Sequence, residues 1–142
     1  MAQELKYEII VADSIIHDGR VMYRIRACRD IPPHGIKKGD RGGYIAGYGN
    51  LAQDGDCFVA DEAMACDEAR VQDNALLKDR ARALHGATIS GNSVMSGSSV
   101  ALYNAILLDK ARLIDAGSAG VDAIIGGRAT VHTDVCREAI FE

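Results

Sequence analysis

The sequence predicts an all-β chain that coils into a solenoid, and three observations carry that prediction. From Cys57 to Ala129 every sixth residue is small: Cys57, Ala63, Ala69, Ala75, Ala81, Ala87, Ser93, Ser99, Ala105, Ala111, Gly117, Ala123 and Ala129. Two places after each stands an aliphatic residue or alanine. Two places before it Asp or Gly recurs, at Gly55, Asp61, Asp67, Asp73, Asp79, Gly91, Gly97, Asp109, Asp115 and Gly127. An eighteen-residue period overlies the six. Val59, Leu77, Met95, Leu113 and Val131 form one set, Val71, Ile89, Leu107 and Ile125 another, and Ala65, Ala83, Ala101 and Ala119 a third.

Two inward residues separated by two are the alternation of a β-strand. Six residues are not a whole number of helical turns, so a helix would carry the small column around its surface. Each six-residue unit holds a short strand and a corner. Three units close one coil of triangular section, and each strand pairs with the strand one coil away, ~4.8 Å along the axis. About five such coils are expected. The all-alanine face leaves room inside, which the corner residues Cys66, Leu84 and Leu102 are expected to fill.

The elements ahead of the repeats follow in order. Lys6 to Val11 reads as a strand, Asp18-Gly19 as a tight hairpin turn of the positive-φ type, and Val21 to Ala27 as the returning strand. This hairpin is expected to plug the first coil, because a solenoid end otherwise exposes core and unpaired edge. Asp30 to Gly43 reads as a loop, since Pro32-Pro33 forbids regular ladder bonding. Residues 1–44 are thus a cap and connector, and 45–142 the solenoid. Arg24, Arg26, Lys37, Lys38 and Arg41 are the only local concentration of positive charge, and so the candidate site for an anionic ligand. At the far end Val135 fits the small column poorly, and Arg137 falls where an aliphatic residue is due. Ile140 and Phe141 are expected to fold over the last coil.

The unbroken aliphatic-x-x-x-small-x series resembles the hexapeptide repeat of left-handed parallel β-helices, the fold of many acyltransferases. The match covers about 85 residues, with looser lead-in units at Ile45 and Leu51. The segment Tyr23-Arg24-Ile25-Arg26, then Lys37 to Ile45 and Gly49-Asn50-Leu51, resembles the lead segment of phage and prophage proteins with "NARV"-type repeats. The resemblance implies a single-stranded left-handed parallel β-helix, three hexads per coil, with an N-terminal β-hairpin cap. It also implies a mobile-element origin, and it names no substrate.

Composition narrows the function classes. Sixteen basic against 20 acidic residues give a net charge of −4, which argues against a nucleic-acid binder. No apolar run approaches the ~20 residues of a membrane helix, and nothing resembles a signal peptide, so a cytoplasmic protein is expected. Cys28, Cys57, Cys66 and Cys136 show no paired metal spacing. Cys57, in the small column, reads as a buried hydrophobe. Neither a metal nor a cofactor is expected.

Candidate chemistry is sparse. His85 and Tyr103 share a corner column and should stack one coil apart, the one pairing with the makings of a proton shuttle. The outward positions carry more: Phe58, Leu76 and Val94 should form an exposed apolar stripe on one face, and Ile106 with Ile124 a shorter one on another. The expected function is therefore a non-enzymatic binding or assembly module. It would self-associate as a dimer or trimer, with a host protein as the further partner that the phage resemblance implies. Two alternatives stand beside it. One is an acyltransferase-like enzyme with its site between subunits near His85 and Tyr103. The other is a scaffold that polymerises end to end, resembling the bactofilins.

Overall fold

A computed structural model describes residues 5–142 of the chain. Its repeats form a β-solenoid of parallel sheets. One sheet stacks the strands Phe58–Val59, Leu76–Leu77, Val94–Met95, Arg112–Leu113 and Thr130–Val131. A second stacks Arg70–Val71, Thr88–Ile89, Ile106–Leu107, Ile124–Gly126 and Ala139–Phe141, and the alanine face forms the third. Through the body of the solenoid the register is eighteen: Met95 lies between Leu77 and Leu113, and Leu107 between Ile89 and Ile125. Each aliphatic residue of the two large-residue faces lies in the core, facing alanines from the third.

The Asp/Gly column marks the corners. All ten residues of that column have φ between 55° and 70°, the left-handed region that Gly enters freely and Asp more readily than most residues. The aspartates also stitch coil to coil. Asp73 Oδ2 accepts from the Gly91 amide at 2.9 Å, Asp79 Oδ2 from Gly97 at 2.9 Å and Asp109 Oδ2 from Gly127 at 2.8 Å. A corner amide that the backbone ladder cannot reach is thereby satisfied by a side chain eighteen residues earlier.

The N-terminal cap is a hairpin of β1 (Tyr7–His17) and β2 (Arg20–Ala27), followed by β3 (Arg41–Ile45). The turn residues Asp18 and Gly19 both have positive φ, 50° and 76°. β3 pairs antiparallel with β2 on one side and parallel with Met64–Ala65 on the other. The hairpin therefore plugs the solenoid by lengthening its alanine-face sheet. β1 runs further than the expected Lys6–Val11, because a bulge at Val11–Asp13 lets it resume pairing at Ser14. The expected loop over Asp30 to Gly43 ends early, at Arg41, where β3 begins. The cap boundary at residue 44 thus falls inside a strand shared by both parts.

Side chains seal the remaining edge of β1 onto the lead-in coil. Gln53 Oε1 accepts from the amides of Lys6 (2.9 Å) and Tyr7 (3.3 Å), and Tyr48 Oη from that of Ile9 (3.1 Å). The buried Tyr7 hydroxyl donates to Leu51 O at 2.6 Å. Lys6, also buried, directs Nζ at Asp54 O, Gly55 O and Cys57 Sγ (3.3, 3.4 and 3.1 Å). Burial pushes the Tyr7 hydroxyl and the Cys57 and Cys66 thiols above their ordinary pKa values, and pushes Lys6 below its own. The three acids titrate first in the unfolded chain. Their stability is complete below about pH 8.5 and drains away as pH rises past the unfolded thiol and phenol values, about 8.5 and 10. Lys6 acts in the opposite sense, gaining stability with pH, and is outnumbered. Thermal melts followed by circular dichroism should show the melting temperature falling from pH 8 to pH 11. Tyr7→Phe should lower the neutral value and flatten the slope above about pH 10; a variant with the wild-type alkaline slope would contradict this account.

Two interior expectations are corrected. Cys66 and Leu84 do not lean into the solenoid. They join a separate cluster with Met22, Tyr44, Ile15 and Met64, where the hairpin arches over the alanine face. The last coil also tightens its register. Val135 pairs with Ala119 and Ile140 with Ile125, so Val135 takes the inward place assigned to Arg137. Arg137 is exposed at a corner with φ 56°. Ile140 completes the third strand of that coil rather than folding across it. Phe141 lies against Gly126, where a Cβ would sit 2.4 Å from its ring.

Candidate functional site

The basic cluster is largely neutralised by the chain itself. The bulge in β1 swings Asp13 between two arginines, with Oδ2 3.4 Å from Arg24 Nε and 2.7 Å from Arg41 Nη1. Arg24 further bonds Gly42 O at 2.7 Å and Glu62 at 3.3 Å, stacks 4.4 Å over the Tyr44 ring and donates to its hydroxyl. Arg26 pairs with Glu8 across the hairpin, 2.9 Å from Nε. Lys37 and Lys38 alone have no side-chain ion pair among the described residues. They stand at the turn into β3, where their backbone amides donate to the Asp40 and Asp30 carboxylates, at 2.9 and 2.8 Å. The five charges that the sequence groups together are therefore not brought together as an anion cradle.

The long apolar stripe is corrected too. Phe58 is 1% exposed, because the connector lies over it. A Cβ on Gly42 would fall 2.8 Å from the Phe58 ring, and His34 to Ile36, with Arg41, border the same surface. Leu76 and Val94 are half-buried, and the next residues down that face are the exposed Arg112 and Thr130. The shorter stripe survives: Ile106 is 36% exposed and pairs in register with the half-buried Ile124.

His85 and Tyr103 stack as the column predicts, ring centroids 5.0 Å apart and planes at 10°. His85 Nδ1 lies 3.0 Å from Asp67 Oδ2 on the coil above, and Arg20 of the hairpin pairs with the same carboxylate. Both rings sit on left-handed backbone, φ 47° and 50°, at about 1–2 kcal/mol each for a residue other than Gly. The stacking and the Asp67 link offset part of that, about 0.5–1.5 kcal/mol for a stacked pair. The group is an oriented, partly exposed imidazole on an open surface that it shares with two carboxylates, Asp67 and Glu68, and with Arg20. Among the described residues no three His, Cys, Asp or Glu side chains gather as a metal site.

Among the described residues the two most exposed large apolar side chains, Ile16 (76%) and Val11 (73%), lie on the hairpin, where the sequence pattern points to no surface patch, and Val21 (46%) is exposed beside them. Ile16 and Val21 are cross-strand partners near the tip of the hairpin. Val21 shares a side of β2 with Ile25 and Ala27, which are buried in the core. β1 and β2, of 11 and 8 residues, outrun the two-residue strands of the coils. The core-facing side of the hairpin therefore continues past the core into solvent. The signal lay in strand length, which alternation alone did not fix.

No family model and no curated protein matches the chain. No helix among the described residues is long and apolar enough to cross a membrane.

Proposed function

We propose that the protein is a non-enzymatic protein-binding module that self-associates, with the overhanging hairpin as its principal contact. The observation that carries this reading is the Ile16–Val21 pair, an apolar cross-strand patch held in solvent on a sheet anchored to the solenoid core. Exposed apolar surface of this kind marks interaction sites, and a pre-formed sheet loses little entropy when it is covered. The shorter stripe, Ile106 and Ile124, is a second, smaller apolar surface on the solenoid itself.

Light scattering behind a sizing column, on wild type and on Ile16→Asp/Val21→Asp, tests the proposal. A discrete dimer or trimer in the wild type, reduced to monomer by the double substitution, is the expected result. Both positions are exposed, so the cost is confined to the two opposed carboxylates on the hairpin, and the melting temperature should fall by no more than about 5 °C with the solenoid intact. A monomeric wild type up to millimolar concentration would end the self-association part of the reading. An oligomer that the hairpin variant leaves intact would move the contact to another surface, with Ile106→Asp the next variant.

An acyltransferase-like reading keeps one specific support, the Asp67-oriented His85 beside its open surface. Calorimetry with acetyl-CoA separates the two: saturable binding lost in His85→Ala would favour the enzyme, and no heat at millimolar ligand would remove it.

A further inference from the structure

Where the hairpin arches over the alanine face it leaves a groove of about 590 Å³, lined by Ile15, Tyr44, Met64, Glu62, Arg80, Arg82 and Ser98. We infer that this groove is a binding site for an extended segment of a partner protein that carries a carboxylate beside an apolar side chain. The apolar side chain would lie on Met64, Tyr44 and Ile15, and the carboxylate between Arg80 and Arg82.

The charge pattern selects this occupant. Arg80, at a corner, and Arg82, on the strand that follows it, both border the groove. Neither has a carboxylate within ion-pair distance among the described residues, unlike Arg20, Arg24, Arg26, Arg29 and Arg41 of the cap; Arg70, Arg112, Arg128 and Arg137 are unpaired too, but they lie outside this groove and its apolar floor. The eighteen-residue register puts Glu62 directly above Arg80, the natural partner. Glu62 is turned instead to Arg24, 3.3 Å away. Arg82 sits on the outward column between Met64 and Val100, in register with the former through the Met64–Arg82 pair and with the latter through the next rung. It is half-buried with an apolar neighbour on each side. A guanidinium so placed is partly desolvated and unneutralised, the condition in which a charge-assisted bond to an incoming carboxylate gains most. In a chain of net charge −4, two unclaimed arginines at an apolar floor are specific for an acidic occupant. Below the groove the outward column continues as Val100 and Ser118, so a chain longer than one residue has a surface to follow.

The choice of a peptide as occupant rests on the protein-binding reading, but the groove and the hairpin overhang use different residues and can fail separately. The test is a ¹³C-methyl and amide NMR titration of the full chain with Ac-Leu-Asp-Leu-Glu-NH2, with Ac-Leu-Lys-Leu-Lys-NH2 and with hexanoate. The acidic peptide should shift the Met64 methyl and the Arg80–Arg82 amides saturably at millimolar concentration, and the basic peptide should not. Arg80→Gln/Arg82→Gln should weaken the acidic peptide roughly tenfold or more with an unchanged melting temperature, and Ile16→Asp/Val21→Asp should leave it unaltered. No saturable shift below about 10 mM, equal response to both peptides, or an affinity unchanged in the arginine variant would overturn the inference. Hexanoate binding as tightly as the peptide would overturn the peptide assignment, leaving a site for small carboxylates.

Discussion

Phe58→Asp is expected to unfold the N-terminal part of the protein rather than to dissolve an interface. The ring is packed between the first coil and the connector, with Gly42 against its edge. Truncating a buried Phe to Ala costs about 3–5 kcal/mol, and a carboxylate in the same place adds the penalty of an unpaired buried charge. For a domain of this size each kcal/mol moves the melting temperature by roughly 3 °C, so a fall of more than about 10 °C is expected. Leu76→Asp, one rung below at a half-buried position, should cost distinctly less. Phe58→Leu should recover most of the loss. Thermal melts of the three variants check this. A Phe58→Asp protein that melts with the wild type would mean that the connector does not cover the ring in solution.

Gly43→Val should detach the cap. Gly43 lies in β3, and a Cβ there would stand 2.2 Å from Ala63 O and 2.9 Å from Val59 Cγ1. The first of these is backbone, so nothing flexible can give way. Relief requires β3 to withdraw from the first coil, which breaks the 2.9 Å bond from the Tyr44 amide to Ala63 O and the parallel ladder to Met64–Ala65. The expected loss is about 3 kcal/mol, the upper end for overpacking. It should be confined to one end, because the coils interact mainly with their neighbours. Hydrogen exchange would show protection lost in β1 to β3 and retained in the coils from Ile89 to Ile125. Gly47→Ala is the control: its backbone is extended and open space surrounds the added methyl, so it should behave as wild type. Protection retained throughout Gly43→Val would refute the close approach.

The solenoid was legible in the sequence because its contacts recur at one offset. Each corner aspartate or glycine, each small residue and each aliphatic residue meets its counterpart eighteen places on, and the His85–Tyr103 stack follows from the same count. The count lapses in the final coil, where Val135 rather than Arg137 turns inward. An apolar residue displaces a charged one from the core, and the chain shortens its corner to allow it.

The candidate sites were less legible. That Phe58 is buried, that Asp13 neutralises Arg24 and Arg41, and that Glu62 abandons Arg80 are decided by where the hairpin and connector lie on the first coils. Those contacts span 11 to 38 residues at no common interval. A bulge in β1 and an extra residue in β3 set them. The coil, its three faces and its corners follow from the repeat alone, since a recurring local pattern buries the same column in every turn. Which outward residues meet solvent follows from the packing of the cap, because exposure depends on what else the chain lays across the surface.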